Sequence, residues 1–431
     1  MSPRITDPLT IGGLSIPNRL YRAPLLECAG NGPDAVETLI RELEPAAEAG
    51  AGLLFQGATV VRGEGGCAAA GMTRVHDPAF VSRLSKLTDA IDEHGSRLFV
   101  QLEHGGLRSM ETWHAGYRAE NPDLQQLAVS RPPPLLRAAD RLGLLSYDPD
   151  VLSAEEVYEL AADFGRAAER CVAAGYDGIH IAGANMGIVQ QFLSPFYNRR
   201  TDEFGGSLTN RVRFLSVIHD EIRERVGDVP LVTKVPAETG SPAVVRRHLS
   251  ERDAVEVCRA CEAMGYDAVV PVRGSVFWDM SLIRGEFPER AWADDRFREG
   301  YEAAFGPRWR AVALANRLHA TGFGFEPAWN ADLCEEARRH VSIPVLCEGG
   351  VRGPEIGDLL GSAADAVGIG RPFYAEPRLP ARILGNGSAR VVCENCNNCT
   401  VPQAASARGV CRTPSVLTKR GELAREGAYE R

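Results

Sequence analysis

Along the chain, short apolar runs alternate with longer stretches in which apolar residues recur every three or four positions. The short runs, bounded by Gly or Asp, read as buried strands, and the longer period reads as amphipathic helix. Four segments repeat one junction of helix, Gly or Asp turn, and strand: AAEAGAGLLFQG (46–57), CVAAGYDGIHIAG (171–183), CEAMGYDAVVPVRG (261–274) and GSAADAVGIG (361–370). The pattern places strands at 19–24, 51–56, 97–102, 177–182, 231–236, 267–272, 343–347 and 366–369. Strands that alternate with helices run parallel with helical crossovers. Eight of them predict an α/β fold of the (β/α)8 type, a TIM barrel closed on itself. The helix before the fourth strand opens with Ser153 and Glu156 in SAEE, a capping box.

Two connections are longer than a barrel needs. Residues 105–150 are rich in Pro and Arg and lack sustained periodicity, whereas 275–329 carry Trp278, Trp309 and Trp329. Both follow strands, so both are expected at the C-terminal mouth, where barrels of this kind keep their binding loops. The organisation expected is a barrel over 1–380 followed by a short Cys-rich segment and tail over 381–431. No G-x-G-x-x-G follows a strand, so no separate dinucleotide-binding domain is expected.

Composition adds limits. The chain has 431 residues, 44% of them hydrophobic and 24% charged, with a formal net charge of −9. A mildly acidic surface offers no general attraction to nucleic acid or anionic lipid. The opening MSPRITDPLT has no apolar core of a leader, and no apolar run is long enough to span a bilayer. A soluble cytoplasmic protein without a membrane partner is the expectation.

The cysteines matter through their placement. Seven of the eleven, including Cys258 and Cys261 on one helix face, are expected in the core. The other four, Cys393, Cys396, Cys399 and Cys411, give C-x2-C-x2-C-x11-C. Three thiolates at two-residue gaps can take three corners of a cubane, and a fourth arrives after a loop. This spacing favours a 4Fe–4S cluster over zinc, which more often takes two separated C-x2-C pairs, and over a metal-free segment. A disulfide framework would need export.

Between 175 and 214 the chain reads GYDGIHIAGANMGIVQQFLSPFYNRRTDEFGGSLTNRVRF. With PNRLYRAPL (17–25), AGLLFQGATVV (51–61), QLEHGG (101–106), PVLCEGGV (344–351) and GIGRPFYAEP (368–377), this resembles the old yellow enzyme (NADH:flavin oxidoreductase) family of FMN-binding barrels. The Cys-rich tail resembles the iron–sulfur branch that includes trimethylamine dehydrogenase and dienoyl-CoA reductase.

The resemblance implies a flavin walled by Pro24 and Leu25 and approached by the Ala58 backbone. Gln101 would meet its pyrimidine edge, Lys234 would supply positive charge, and Gly349, Gly350, Gly370 and Arg371 would hold its phosphate. Leu26 stands where relatives tune the flavin with Thr or Cys, and it cannot form a thioether, so FMN is expected to bind noncovalently. Of the residues that polarise substrate in the family, Asn185 is kept, while Ala182 replaces a His or Tyr. Gly187 stands where many ene-reductases carry a proton-donating Tyr. His180, His104 and Asp279, the last beside Trp278, are the candidates to fill that gap; reduction of a double bond needs a proton as well as a hydride.

The resemblance thus implies an FMN-dependent oxidoreductase that exchanges hydride between flavin N5 and a small organic substrate, with electrons relayed by a 4Fe–4S cluster. An ene-reductase-like or related biosynthetic step leads, and an amine dehydrogenase of the trimethylamine dehydrogenase type comes second. A non-catalytic redox-sensing or structural subunit is the alternative of another class. Further domains like those of the larger relatives are not expected after the barrel, so electrons are expected from a ferredoxin, an electron-transfer flavoprotein or NAD(P)H. Barrels of this family often pair, which makes a homo-oligomer an option.

Overall fold

The repeated junctions fold as their pattern predicts. The computed structural model describes residues 2–142, 147–241, 245–274, 283–320, 324–385 and 389–430; Trp278 and Asp279 lie outside them. Eight strands alternate with eight helices. They are β1 (Leu20–Leu25), α1 (Ala35–Glu48), β2 (Leu53–Val60), α2 (Ser85–Asp92), β3 (Arg97–Glu103), α3 (Ala154–Ala173), β4 (Gly178–Ile181) and α4 (Leu208–Val226). They continue as β5 (Leu231–Ala237), α5 (Glu251–Met264), β6 (Ala268–Arg273), α6 (Ala331–Arg338), β7 (Leu346–Glu348), α7 (Ile356–Ser362), β8 (Ala366–Ile369) and α8 (Leu379–Gly385). The strands pair in parallel in the order β6-β5-β4-β3-β2-β1-β8-β7. A parallel bridge between Val269 and Val345 completes the ring. The chain is a TIM barrel. No helix among the described residues is long and apolar enough to cross a membrane.

Strand alternation sorts the side chains into two cores. Outward residues meet the helices in the larger one, where Phe192 stacks on Phe214 at 4.2 Å between ring centroids. Inward residues fill the barrel, with Tyr21 edge-on to Phe55 at 5.5 Å and Phe55 edge-on to Phe99 at 5.6 Å. An antiparallel hairpin before β1 (Leu9–Ile11 and Leu14–Ile16) plugs the barrel with Ile11 and Ile16. The capping box of α3 is formed, Ser153 Oγ accepting from the Glu156 N–H at 3.2 Å. Cys28, Cys67, Cys171, Cys258, Cys261, Cys334 and Cys347 are all buried.

The long connections carry local structure that apolar periodicity did not reveal. The first holds short helices at Met110–Trp113, Ala115–Glu120 and Pro134–Arg141, with a two-residue parallel pairing of Leu127–Ala128 and Asp150–Val151. The second holds helices at Glu289–Trp292, Arg298–Phe305 and Trp309–Ala320. The two pack on each other, Trp113 stacking on Phe305 at 5.8 Å.

At the rim of the mouth, β1 and β2 shift register between Arg22 and Leu25. Gly57 permits the crossing, because a Cβ there would fall 1.5 Å from the Leu25 carbonyl oxygen. A buried ion pair fixes it: Arg22 Nη1 donates to Glu27 Oε1 at 2.8 Å, and Glu27 Oε2 accepts the Gly57 N–H at 3.0 Å. Glu27→Ala would leave the Arg22 guanidinium buried without its counter-charge. It is expected to lower unfolding free energy by about 3–5 kcal/mol, read from denaturant melts.

Candidate functional site

At the C-terminal ends of the strands lies a cavity of ≈ 250 Å³. Its wall is made by Ala23, Pro24, Leu25 and Leu26 from the end of β1, Lys234 from β5, Glu348 through Arg352 from the turn after β7, and Gly370 and Arg371 after β8. Asn185, Arg108, Trp329 and Asn330 complete the barrel side. The structure thus brings together Pro24, Leu25, Leu26, Asn185, Lys234, Gly349, Gly350, Gly370 and Arg371. Ala58, Gln101, His104 and His180 are not on its wall.

The turn after β7 is a cradle. Gly349 and Gly350 take φ of +108° and +73°, which L side chains rarely adopt, and a Cβ on Gly350 would meet Glu326 O at 2.5 Å and Trp329 Cε3 at 2.6 Å. Trp329 Nε1 and Arg352 Nε, both on the cavity wall, are buried donors without a hydrogen-bond partner among the described residues. Orphaned donors beside a glycine turn and Arg371 are a donor set for an anionic oxygen group, and buried donors are seldom left unpaired. The residues therefore fit the phosphate end of FMN, and the apolar run Ala23–Leu26 fits a flat ring.

Asn185 owes its place to a turn held from below. Asn185 and Met186 have φ of +63° and +62°, a left-handed pair that Asn tolerates and Met does not favour. Gln190 Oε1 accepts the Met186 N–H at 2.7 Å, and Gln191 Nε2 donates to Met186 O at 2.6 Å and to Gly105 O at 2.9 Å. Buried Glu238 then accepts from Gln190 at 3.1 Å and Ser194 at 2.8 Å. The polar residues of QQFLS thus hold the turn that carries Asn185.

Gln101 and His180 face each other across β3 and β4, with Gln101 Nε2 2.9 Å from His180 Nδ1. That contact places the imidazole proton on Nε2, which has no partner among the described residues. Burial, aided by the Lys234 charge, pushes the His180 imidazole well below the usual histidine range, so the ring is neutral. It lies against Phe55 inside the barrel.

The His104 ring ties its own loop to the connection after β2. Nδ1 accepts the Gly106 N–H at 3.2 Å, and Nε2 donates to the Glu64 carbonyl at 2.9 Å. Burial pushes its pKa from 6.5 down to about 4. Between these two pH values the unfolded chain binds the proton that the folded chain refuses. This contribution to stability is therefore complete above pH 6.5 and lost as pH falls through 4, roughly 3 kcal/mol in all. His104→Gln is expected to flatten the acid limb of a stability-against-pH curve by that amount.

The four C-terminal cysteines line one small cavity of ≈ 20 Å³. Left-handed Asn395 and Asn397 turn the chain between them, at φ of +56° and +57°. Arg352 donates to Asn395 Oδ1 at 2.9 Å, Arg371 to Asn397 Oδ1, and Cys396 Sγ lies 2.9 Å from Thr413 Oγ1. Burial pushes the Cys399 thiol up to about 12, with the three neighbouring thiols adding to it. Among the described residues no three or more ligating side chains stand at metal-holding spacing. Four sulfurs around one space, with Glu394 as the single carboxylate residue on its wall, fit a thiophilic centre. Arg371, Tyr374 and Asn395 line both this space and the larger cavity.

Sequence reasoning missed Arg108, Trp329, Glu348 and Arg352. Glu348 and Arg352 had a signal, since one ends a strand and the other stands in the turn that follows it; Arg108 and Trp329 depend on how the long connections fold back.

The profile of the NADH:flavin oxidoreductase / NADH oxidase family matches residues 4–295. The chain is 28% identical over 396 residues to a metal reductase of Desulforamulus reducens, spanning 91% of this chain and 50% of that protein. It therefore spans about half the length of that relative. It is 30% identical over 288 residues to a probable flavin mononucleotide-dependent alkene reductase of Leishmania infantum, 64% of this chain and 78% of that one. Among solved structures, 6-hydroxypseudooxynicotine amine oxidase from Pseudomonas geniculata N1 superposes with a TM-score of 0.71 at 22% identity, over 98% of this chain and 55% of that one. At that identity the likeness is one of fold.

Proposed function

The chain belongs to the NADH:flavin oxidoreductase / NADH oxidase family, and we propose that it is an FMN-dependent reductase of activated carbon–carbon double bonds that exchanges electrons through a 4Fe–4S cluster. The observation that carries this reading is the cavity itself. Pro24, Leu25, Lys234, Gly349, Gly350, Gly370 and Arg371 surround one space at the barrel mouth with Asn185. When bound there, FMN would accept and donate hydride. The chain's own residues would hold the phosphate at the Gly349–Gly350 and Gly370–Arg371 turns and wall the ring with Pro24 and Leu25. Asn185 and Arg108 would orient a polar substrate group. His104 and His180 are not on the wall, and no direct role in the cavity is assigned to them.

The reading of Cys393, Cys396, Cys399 and Cys411 as cluster ligands rests on their shared cavity beside Arg371. Electrons would come from a ferredoxin, an electron-transfer flavoprotein or NAD(P)H. The C-x2-C-x2-C spacing of Cys393, Cys396 and Cys399 also supports a second reading, oxidation at a C–N bond.

Anaerobic half-reactions separate the two. Photoreduced, FMN-loaded protein should return to the oxidised spectrum on mixing with conjugated enones or enoates. Protein that ignores alkenes but is bleached in its oxidised form by amines would establish the second reading instead. Inertness toward both would leave a redox-sensing role.

A further inference from the structure

Glu348 ends β7 and Lys234 lies on β5, and their side chains meet across the barrel mouth in a direct ion pair. Both are largely buried, at 11% and 8% side-chain exposure, and both lie on the wall of the larger cavity. The Tyr21 hydroxyl donates to the second carboxylate oxygen at 3.4 Å. The strand end is pinned as well, since Asn330 Nδ2 donates to the Glu348 carbonyl at 2.7 Å. Among the described residues on this wall, Glu348 is the only carboxylate.

A lone cation beside a flavin ring favours the reduced form, because reduction adds two electrons and fewer than two protons when the product is anionic. A cation in contact with a carboxylate presents a dipole, whose field falls off faster with distance. We propose that Glu348 sets the reduction potential of this site by neutralising Lys234, so that a flavin bound in the cavity is held at low potential and is a stronger hydride donor. This rests on the reading that FMN occupies the cavity. Glu348 acts through Lys234 and is a positioning residue.

The test is the two-electron midpoint potential of FMN-loaded protein, equilibrated with a reference dye during slow anaerobic reduction. Glu348→Gln keeps the shape and releases the full charge of Lys234. It is expected to shift the equilibrium toward reduced flavin at least about tenfold, a rise of about 30 mV for a two-electron couple. Glu348→Asp, which keeps a carboxylate, should stay close to the wild type. The neutral pair Lys234→Gln with Glu348→Gln should also stay close, because two cancelling charges are removed together. An unchanged or lowered potential in Glu348→Gln, or a double variant far below the wild type, would overturn the proposal. Wild-type protein that binds no FMN would instead overturn the reading beneath it.

Discussion

Replacing Gly350 by alanine is expected to weaken FMN binding by at least about 100-fold, close to 3 kcal/mol. The position is left-handed, at φ +73°, and forcing an L side chain into that region costs about 1–2 kcal/mol. Space adds to the cost. The new methyl would stand 2.5 Å from the Glu326 carbonyl oxygen and 2.6 Å from Trp329 Cε3, so the 326–330 turn must move. That turn carries Trp329, whose buried Nε1 is one of the orphaned donors of the cradle. Fluorescence titration of apoprotein with FMN reads the effect. Gly357→Ala is the control, since nothing lies within 4 Å of a Cβ there, and its affinity should match the wild type. Wild-type affinity in Gly350→Ala would mean the phosphate does not bind at this turn.

The second large effect is expected at Cys399, the thiol that burial and its three neighbours push up to about 12. A thiol this resistant to ionisation is a poor nucleophile and, left alone, an inert core group. Its value would lie in coordination, where the positive metal offsets the mutual repulsion of four thiolates. Cys399→Ser is expected to reduce iron to under about a tenth of the wild-type content. The FMN cavity should survive, because Cys399 is not on its wall. Flavin reduction by substrate or photochemistry should persist, whereas transfer to a one-electron acceptor protein should fall at least about 100-fold. Full iron retention would show that Cys399 is no ligand. Loss of flavin together with iron would show that the two sites depend on each other, through the Arg371–Asn397 contact.

The barrel was legible in the sequence because its rule is local. A helix that ends in Gly or Asp and runs into an apolar strand declares itself within a dozen positions, and four such junctions within a pattern of eight strands leave few topologies. β2 continues to Val60 and β7 begins only at Leu346, shifts that the apolar pattern does not encode. The N-terminal hairpin escaped notice because its three-residue strands are too short to show alternation.

The site was legible where backbone chemistry fixes it and obscure where tertiary register does. Gly349, Gly350, Gly370 and Arg371 are turn residues at strand ends, so the strand pattern alone sets them at the mouth. Gln101 and His180 also follow the strand pattern, yet the register of β3 against β4 pairs them with each other and keeps them off the cavity wall. His104 sits in a loop where the Gly106 N–H claims one ring nitrogen and the Glu64 carbonyl, from the connection after β2, claims the other. The Lys234–Glu348 pair joins positions more than one hundred residues apart on strands that are not neighbours, and no periodicity announces such a contact.

The most direct test of the account is the flavin and metal content of the full chain purified without oxygen. The prediction is one FMN per chain, released by denaturation without covalent attachment, together with about four iron atoms and an equal amount of acid-labile sulfide. Protein that neither retains nor rebinds flavin would contradict the central claim. One FMN with zinc in place of iron would leave the cavity as described and contradict the cluster beside it.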